Sequence, residues 1–362
     1  MKTPNEERKI VRIKDIAAKA NVSTGTVDRV LHNRGRVSEE VKQRVLQIIQ
    51  EFEYEPNIHA RALVSNRIYR IAVIIPDPAI DDYWQAPKTG IEKAEKELKQ
   101  YGITITLFIF NSSDANTFKQ MANNVTADAF DGVLIAPIFY RESLTYFSLW
   151  KRTSLPFILF NTHIPDYEPL SYIGQDSYQS GYLAGKLFHF GHPEPSTFLI
   201  THIDEDVPNS SHLIKKEQGF VDYYAQNTTP GTYNILTADV KGSTNQSVFH
   251  TQLDELLKTN PEIKGIFVTN SRAHTIADYL AARQITHIHL IGYDLLEKNL
   301  NFLNKGIINF LINQNPMRQG YYGIQLLADY LVFKKEVSAI KYLPLDIITK
   351  ENLHYYIEAE KY

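Results

Sequence analysis

From residue 70 onward the chain alternates short apolar runs with longer helix-period segments, and this alternation limits the fold more than any other feature. Strand-like runs stand at 70–76, 103–110, 132–137, 156–160, 197–201, 235–238, 265–269, 288–292 and 307–312. Helix-period segments lie between most of them, for example 89–101, 180–190 and 319–333. Alternating strands and helices place the strands in parallel sheets covered on both faces. The stretch is too long for one such sheet, so the spacing predicts two lobes. No repeat of 20–50 residues and no low-complexity segment interrupts it.

Sheets of this kind bind ligands outside the carboxyl ends of their strands. The polar residues at those ends are Asp77, Asn111, Asn161, Asn270, Asp294 and Gln314, each directly after an apolar run. Any one of them alone reads equally as a turn or cap residue. Six at the same topological point indicate a binding cleft, and carboxylates and amides suit a polyol because they accept from and donate to paired hydroxyls. Trp84 lies just beyond the first strand, where it either stacks on a sugar face or packs on the lobe surface.

The first seventy residues follow a different period. Ile13, Ile16, Ala17 and Ala20 mark one apolar helix face. Ser23 then offers a hydroxyl to the free N–H groups of a second helix, 24–31, which buries Val27, Val30 and Leu31. A loop at Asn33-Arg34-Gly35 leads to a third helix with Ser38 at its cap and Glu39 and Glu40 in its positive first turn. Two short helices with a tight turn and a supporting third make a helix-turn-helix, whose second helix fits the major groove. The outward residues of that helix are Thr24, Gly25, Thr26, Asp28 and Arg29. A three-helix core without a ligand is the plainer alternative.

Charge fits the first reading and equally a solvated, charge-rich helical domain. Residues 1–70 hold 14 Lys and Arg against nine Asp and Glu, whereas the whole chain carries −3. A basic head on an acidic body points to an anionic partner for the head alone. The 362 residues contain no cysteine, which excludes disulfides and thiolate metal sites. No apolar run spans a bilayer and residues 1–12 are too polar for a secretory signal, so a cytoplasmic protein with no membrane partner is expected. Neither a Gly-x-Gly-x-x-Gly nor a Gly-x-Ser-x-Gly motif is present. Gly181 and Gly185-Lys186 fall one residue short of a phosphate loop and lie in a helical segment. The pairs His189/His192 and His287/His289 have no partnering motif, so no metal, cofactor or enzyme activity is expected.

The wording of the head goes beyond its pattern. Ile16-Ala17, Val22-Ser23, Thr26-Val27, Arg29-Val30-Leu31, Val37-Ser38 and Tyr54-Glu55-Pro56-Asn57 resemble the DNA-binding head of the lac repressor family, without a gap from Ile13 to Leu63. The resemblance implies that Lys14, Ser23, Arg29, His32, Arg36 and Ser38 face DNA. It also implies that Asn57, Ala60 and Leu63 form a hinge helix that folds in the minor groove, where paired leucines kink the duplex. Asp28 replaces the usual serine and Gly25 brings no side chain to a base-reading position, so an unusual operator is expected. The remainder resembles the type I periplasmic-binding-protein fold through Gly181-Tyr182-Leu183-Ala184-Gly185, Gly219-Phe220, Phe267-Val268-Thr269-Asn270, Ile291-Gly292-Tyr293-Asp294 and Ile312-Asn313-Gln314-Asn315-Pro316. That resemblance makes Asn270, Asp294 and Lys216 effector-binding residues. Lys216 stands for the usual arginine and Asn161 for a common acid, which leaves the ligand open.

The expected molecule is thus α/β, with an all-α helix-turn-helix head over 1–56, a hinge helix and linker over 57–69, and a two-lobed doubly wound effector-binding and dimerisation domain over 70–362. Its expected partners are double-stranded operator DNA, a small-molecule effector of carbohydrate type, and a second copy in a homodimer. The rival reading is a solute-binding protein of a transport system, which needs export and has no use for a basic head.

Overall fold

The computed structural model describes residues 11–31, 34–52, 54, 62, 67–205 and 210–359. It divides into two compact units, Met1–Val64 and Ser65–Tyr362.

The first unit holds α1 (Ile13–Ala20), α2 (Thr24–Leu31) and α3 (Glu39–Glu51). Ile16, Ala17 and Ala20 meet Val27, Val30, Val45 and Ile48 in one buried cluster. Helix α1 stops at Asn21, whose φ of 53° turns the chain out of the helix. Asparagine tolerates this left-handed conformation better than most residues. Ser23 then starts α2 as expected, accepting from the Thr26 N–H at 3.1 Å through its Oγ. Ser38 differs: it occupies the cap position of α3 but its side chain makes no capping hydrogen bond. The first turn closes through the backbone instead, with Lys42 N–H donating to the Ser38 carbonyl at 3.0 Å.

In the second unit, β1 (Tyr69–Pro76), α4 (Gln85–Leu98), β2 (Ile103–Phe110), α5 (Ala115–Ala127), β3 (Gly132–Ile135), α6 (Tyr140–Arg152), β4 (Phe157–Phe160) and β5 (Ser171–Gly174) build a first lobe. The second lobe follows with α7 (Ser177–Gly191), β6 (Thr197–Ile203), α8 (Ser211–Asn227), β7 (Asn234–Val240), α9 (Gln246–Thr259), β8 (Ile263–Val268), α10 (Ala273–Ala282), β9 (His289–Tyr293), α11 (Glu297–Asn304) and β10 (Phe310–Asn313). The chain returns through α12 (Pro316–Leu331) and β11 (Ile340–Tyr342) to the first lobe. It ends on the second with β12 (Asp346–Ile348) and α13 (Leu353–Ala359). Three hinge segments therefore join the lobes: after β5, after β10, and between β11 and β12.

The sheet orders are β11-β5-β4-β3-β1-β2 and β12-β10-β9-β8-β6-β7. All pairings are parallel except that of β10 with β12. In each sheet the first strand sits inside and later strands wind outward both ways, which opens a crevice at the carboxyl ends beside β1 and β6. Apolar clusters cover the sheets, with Phe118, Phe147 and Trp150 in the first lobe, and Leu253, Ile276 and Phe249 on one face and Phe188, Phe220 and Tyr224 on the other in the second.

Strands β5, β11 and β12 were not expected; at three or four residues they show no periodicity of their own. The apolar run at 307–312 is only partly strand. Ile307 N–H donates to the Phe302 carbonyl at 3.0 Å, so the first residues of the run close the end of α11 after Gly306.

Candidate nucleic-acid interface and ligand cleft

On the head, Lys14, Ser23, Thr24, Gly25, Asp28, Arg29, Arg36 and Ser38 are exposed and Thr26 is half-buried. Lys14 comes from α1, Ser23 from the turn before α2, Arg36 and Ser38 from the chain before α3, and the others from α2. Gly25 is not demanded by packing, since a Cβ there meets nothing nearer than the Ser23 Oγ at 3.8 Å. His32, Asn57, Ala60 and Leu63 lie outside the described residues.

Between the lobes of the second unit lies a cavity of about 750 Å³. Trp84, Asn161, Lys216, Asn270 and Gln314 line it, brought together from both lobes and one hinge. Asp294 is fully buried beneath them. Its Oδ2 accepts from the Ser271 hydroxyl and from the Gln314 amide, each at 2.6 Å. Burial raises the Asp294 pKa, while the bond from Ser271, the charge of Lys216 and Gln314 hold it down.

Lys216 projects from α8 and is 1% exposed. Its ammonium donates to the Thr269 carbonyl at 2.8 Å and to Gln314 Oε1 at 3.4 Å, and rests 3.6 Å from the centre of the Tyr293 ring. Burial pushes its pKa down to about 7, against the pull of Asp294 and Glu205. Asn270 donates to the Ile203 carbonyl at 2.8 Å and to Glu205 at 3.0 Å. Opposite, Asn161 donates to the Tyr83 hydroxyl at 2.8 Å. Trp84 is held edge-on against Tyr83 and Phe160 while it also faces the cavity. The side chain thus packs on the lobe and also forms part of the cavity wall.

Asp77 and Asn111 are different. Asp77 accepts from Ala79 N–H and Asn111 from Ser113 N–H, both at 2.8 Å, so each carboxamide or carboxylate closes its own turn. Neither is among the residues lining the cavity; the neighbours Asp81 and Ser112 are. The loops after β1 and β2 run on before they reach the cleft, and the first residue after each strand points into its turn.

Residues 71–335 match the periplasmic binding protein domain and residues 12–57 match the lacI family of bacterial regulatory proteins. A solved chain from Bacteroides fragilis, described as a LacI transcriptional regulator, is 30% identical, with a TM-score of 0.73 over 80% of this chain and 100% of that one. The chain belongs to the lacI family of bacterial regulatory proteins. The transcriptional regulator MalR of Streptococcus pneumoniae is 27% identical over 83% of this chain and 88% of its own. The sucrose operon repressor of Klebsiella pneumoniae is 34% identical over 42% and 44%. A lacI-family regulator is thus a DNA-binding head joined to a sensor built like a periplasmic binding protein, and these relatives are regulators rather than enzymes. No helix among the described residues is long and apolar enough to cross a membrane.

The sensor of this lacI-family chain also uses residues the sequence reading passed over. Asp204, Glu205, His212 and Arg272 line the cavity. Asp204 was missed because the strand before it reads as ending at Thr201, whereas β6 continues to Ile203. A signal did exist: Asn161, Asp204, Asp294 and Asn315 all have positive φ, from 54° to 67°. Aspartate and asparagine just after a strand are the side chains best able to make that bend. Arg272 pairs with Asp204 at 3.1 Å. His212 reaches Thr162 of the other lobe at 3.3 Å, and burial, Lys216 and His202 push its pKa down to about 3. It meets the ligand space as a neutral ring.

Proposed function

We propose that this regulator is a cytoplasmic homodimeric repressor that releases operator DNA when a neutral sugar or sugar derivative binds between its lobes. The observation that carries the reading is the floor of the cleft. Lys216, Asn270 and Gln314 converge there above the buried Asp294, held by hydrogen bonds to Asp294 or to neighbouring strands. Such a floor presents fixed donors beside fixed acceptors, which matches paired hydroxyls. A buried ammonium beside a buried carboxylate leaves little net charge for an ionic ligand. The name of the sucrose operon repressor supports the same class of effector. Its partner sites are Lys14, Ser23, Thr24, Gly25, Thr26, Asp28, Arg29, His32, Arg36 and Ser38 on the half-site, and Asn57, Ala60 and Leu63 in the minor groove between two copies.

A panel of neutral sugars in a thermal-unfolding assay tests the sensor, because a ligand of the folded state raises the midpoint. Asp294→Ala should weaken the shift, since it leaves the Ser271 hydroxyl and the Gln314 amide of the cleft without their acceptor, at a cost of about 1–3 kcal/mol. Gel shifts on the promoter region of the protein's own gene test the head. Binding should fall with salt on a log–log line and Arg29→Ala should cost about 1–3 kcal/mol. No salt-dependent complex would sink the regulatory reading. A stabilising nucleobase or amino acid in place of any sugar would sink the sugar assignment alone.

A further inference from the structure

A second cavity, of about 450 Å³, lies at the hinge and shares no lining residue with the effector cleft. Its walls come from both lobes: α4 and α12 on one side, β12 and α13 on the other, with the chain between β10 and α12 at its back. That connecting chain is the link between the two cavities. In Asn313-Gln314-Asn315, the middle side chain lines the effector cleft and bonds to Asp294, while its two neighbours line the hinge cavity. The chain leaves the extended β10 at Asn313 and turns at Asn315, whose φ is 54°, so that neighbouring side chains face different cavities. Asn315 also ties this hinge to another, donating to Pro344 O at 3.2 Å and to Asp346 at 2.8 Å.

The lining indicates what fits. Tyr321, Tyr322, Tyr355 and Tyr356 supply four aromatic rings in one small space. Two are fixed in place: Tyr321 donates to Glu97 at 2.5 Å and Tyr322 lies under the Lys341 ammonium at 4.1 Å. Rigid aromatic walls favour a flat ring. The two carboxylates at the site are engaged, Glu97 by Tyr321 and Asp346 by Asn315. Arg318, by contrast, is exposed and makes no hydrogen bond or ion pair among the described residues. A guanidinium left open beside occupied carboxylates selects an anion, and a planar one in particular.

We propose that the hinge cavity is a second small-molecule site, for a flat aromatic carboxylate, and that its occupancy biases the angle between the lobes. A ligand that touches both lobes binds one lobe angle better than another and so shifts the population of angles. Because Asn313-Gln314-Asn315 serves both cavities, this ligand changes effector affinity, and the effector changes its affinity by the same factor. The chemistry that selects the hinge ligand is the same whatever class of molecule the cleft takes.

The full-length chain with 4-hydroxybenzoate as probe tests this, with phenol and cyclohexanecarboxylate as controls, by titration calorimetry. The aromatic acid should bind, and each control at least about tenfold more weakly. Arg318→Gln alters an exposed side chain and should weaken binding by a similar factor, while Arg318→Lys retains part of it. Tyr356→Leu should weaken it as well. Absence of binding at millimolar probe, or equal affinity in Arg318→Gln, overturns the site. Since the chain has no cysteine, Ser113→Cys and Ser247→Cys place one spin label on each lobe. The probe should narrow the label-to-label distance distribution, and not in the Tyr356→Leu background. Binding without any change in that distribution overturns the control of lobe angle.

Discussion

Lys216 carries a charge where almost no water can solvate it. The unfolded chain keeps that proton up to about pH 10.4, whereas the buried amine releases it near pH 7. Within that window the unfolded state binds more protons, so this group makes stability rise with pH; below the window it contributes a constant penalty. Lys216→Met removes the penalty. The stability of the variant relative to the wild type should be most favourable near about pH 6 and fall on the order of 1 kcal/mol per pH unit as the pH climbs through the window. Urea unfolding over a pH series measures it; a constant gap would mean that the lysine keeps its charge when folded. At this scale the sequence was informative about identity and silent about state. Lys216 stands where its resemblance implied a ligand residue, and its tie to Tyr293 and Thr269 depended on two strands and a helix meeting.

Helices α7 and α8 show how a motif changes meaning at the level of elements. Gly181 and Gly185-Lys186 fall one residue short of a phosphate loop, and, as the sequence indicated, they lie in a helix: both glycines sit in α7 against α8. A Cβ at Gly181 would lie 1.8 Å from the Lys216 carbonyl, and one at Gly219 would lie 2.0 Å from the Tyr178 carbonyl. These glycines let two backbones touch, and that contact sets where Lys216 enters the cleft. Gly219→Ala should therefore destabilise the sensor by about 1–3 kcal/mol, the usual cost of overpacking. It should also weaken sugar binding, because α8 must move and take Lys216 with it. Denaturant unfolding and sugar titration check the two halves. A variant of normal stability and affinity would show that the helix pair has slack.

For the whole molecule, each unit has its own core, with seven buried apolar residues clustered among the described residues of the head and several larger clusters in the sensor. A unit of about 64 residues is marginal by itself. Calorimetry of the full chain should resolve two transitions, the smaller at lower temperature. Operator DNA should raise the first, and a bound sugar the second. Deleting residues 1–64 should remove the first transition and leave the second and its sugar response in place. A single transition that both ligands raise together would mean that the units unfold as one.

The sequence by itself determined the type and order of most elements, because the helical period is strong over α1, α2 and the long helices and β1 and β2 are near-continuous apolar runs. It also determined the family, because the head's wording is continuous from Ile13 to Leu63. The tertiary structure decided which strand ends become a site. Asp77 and Asn111 obey the same rule as Asn161 and Asn270, yet they close their own turns, since the first two loops run on before reaching the cleft. It decided the partners of β5, β11 and β12, which are too short to carry a period and owe their form to neighbouring strands. It also decided that Asp294 lies under the floor instead of on it. A position along the chain tells which strand a side chain follows; the depth at which it ends depends on how two sheets, three hinges and their helices close around it.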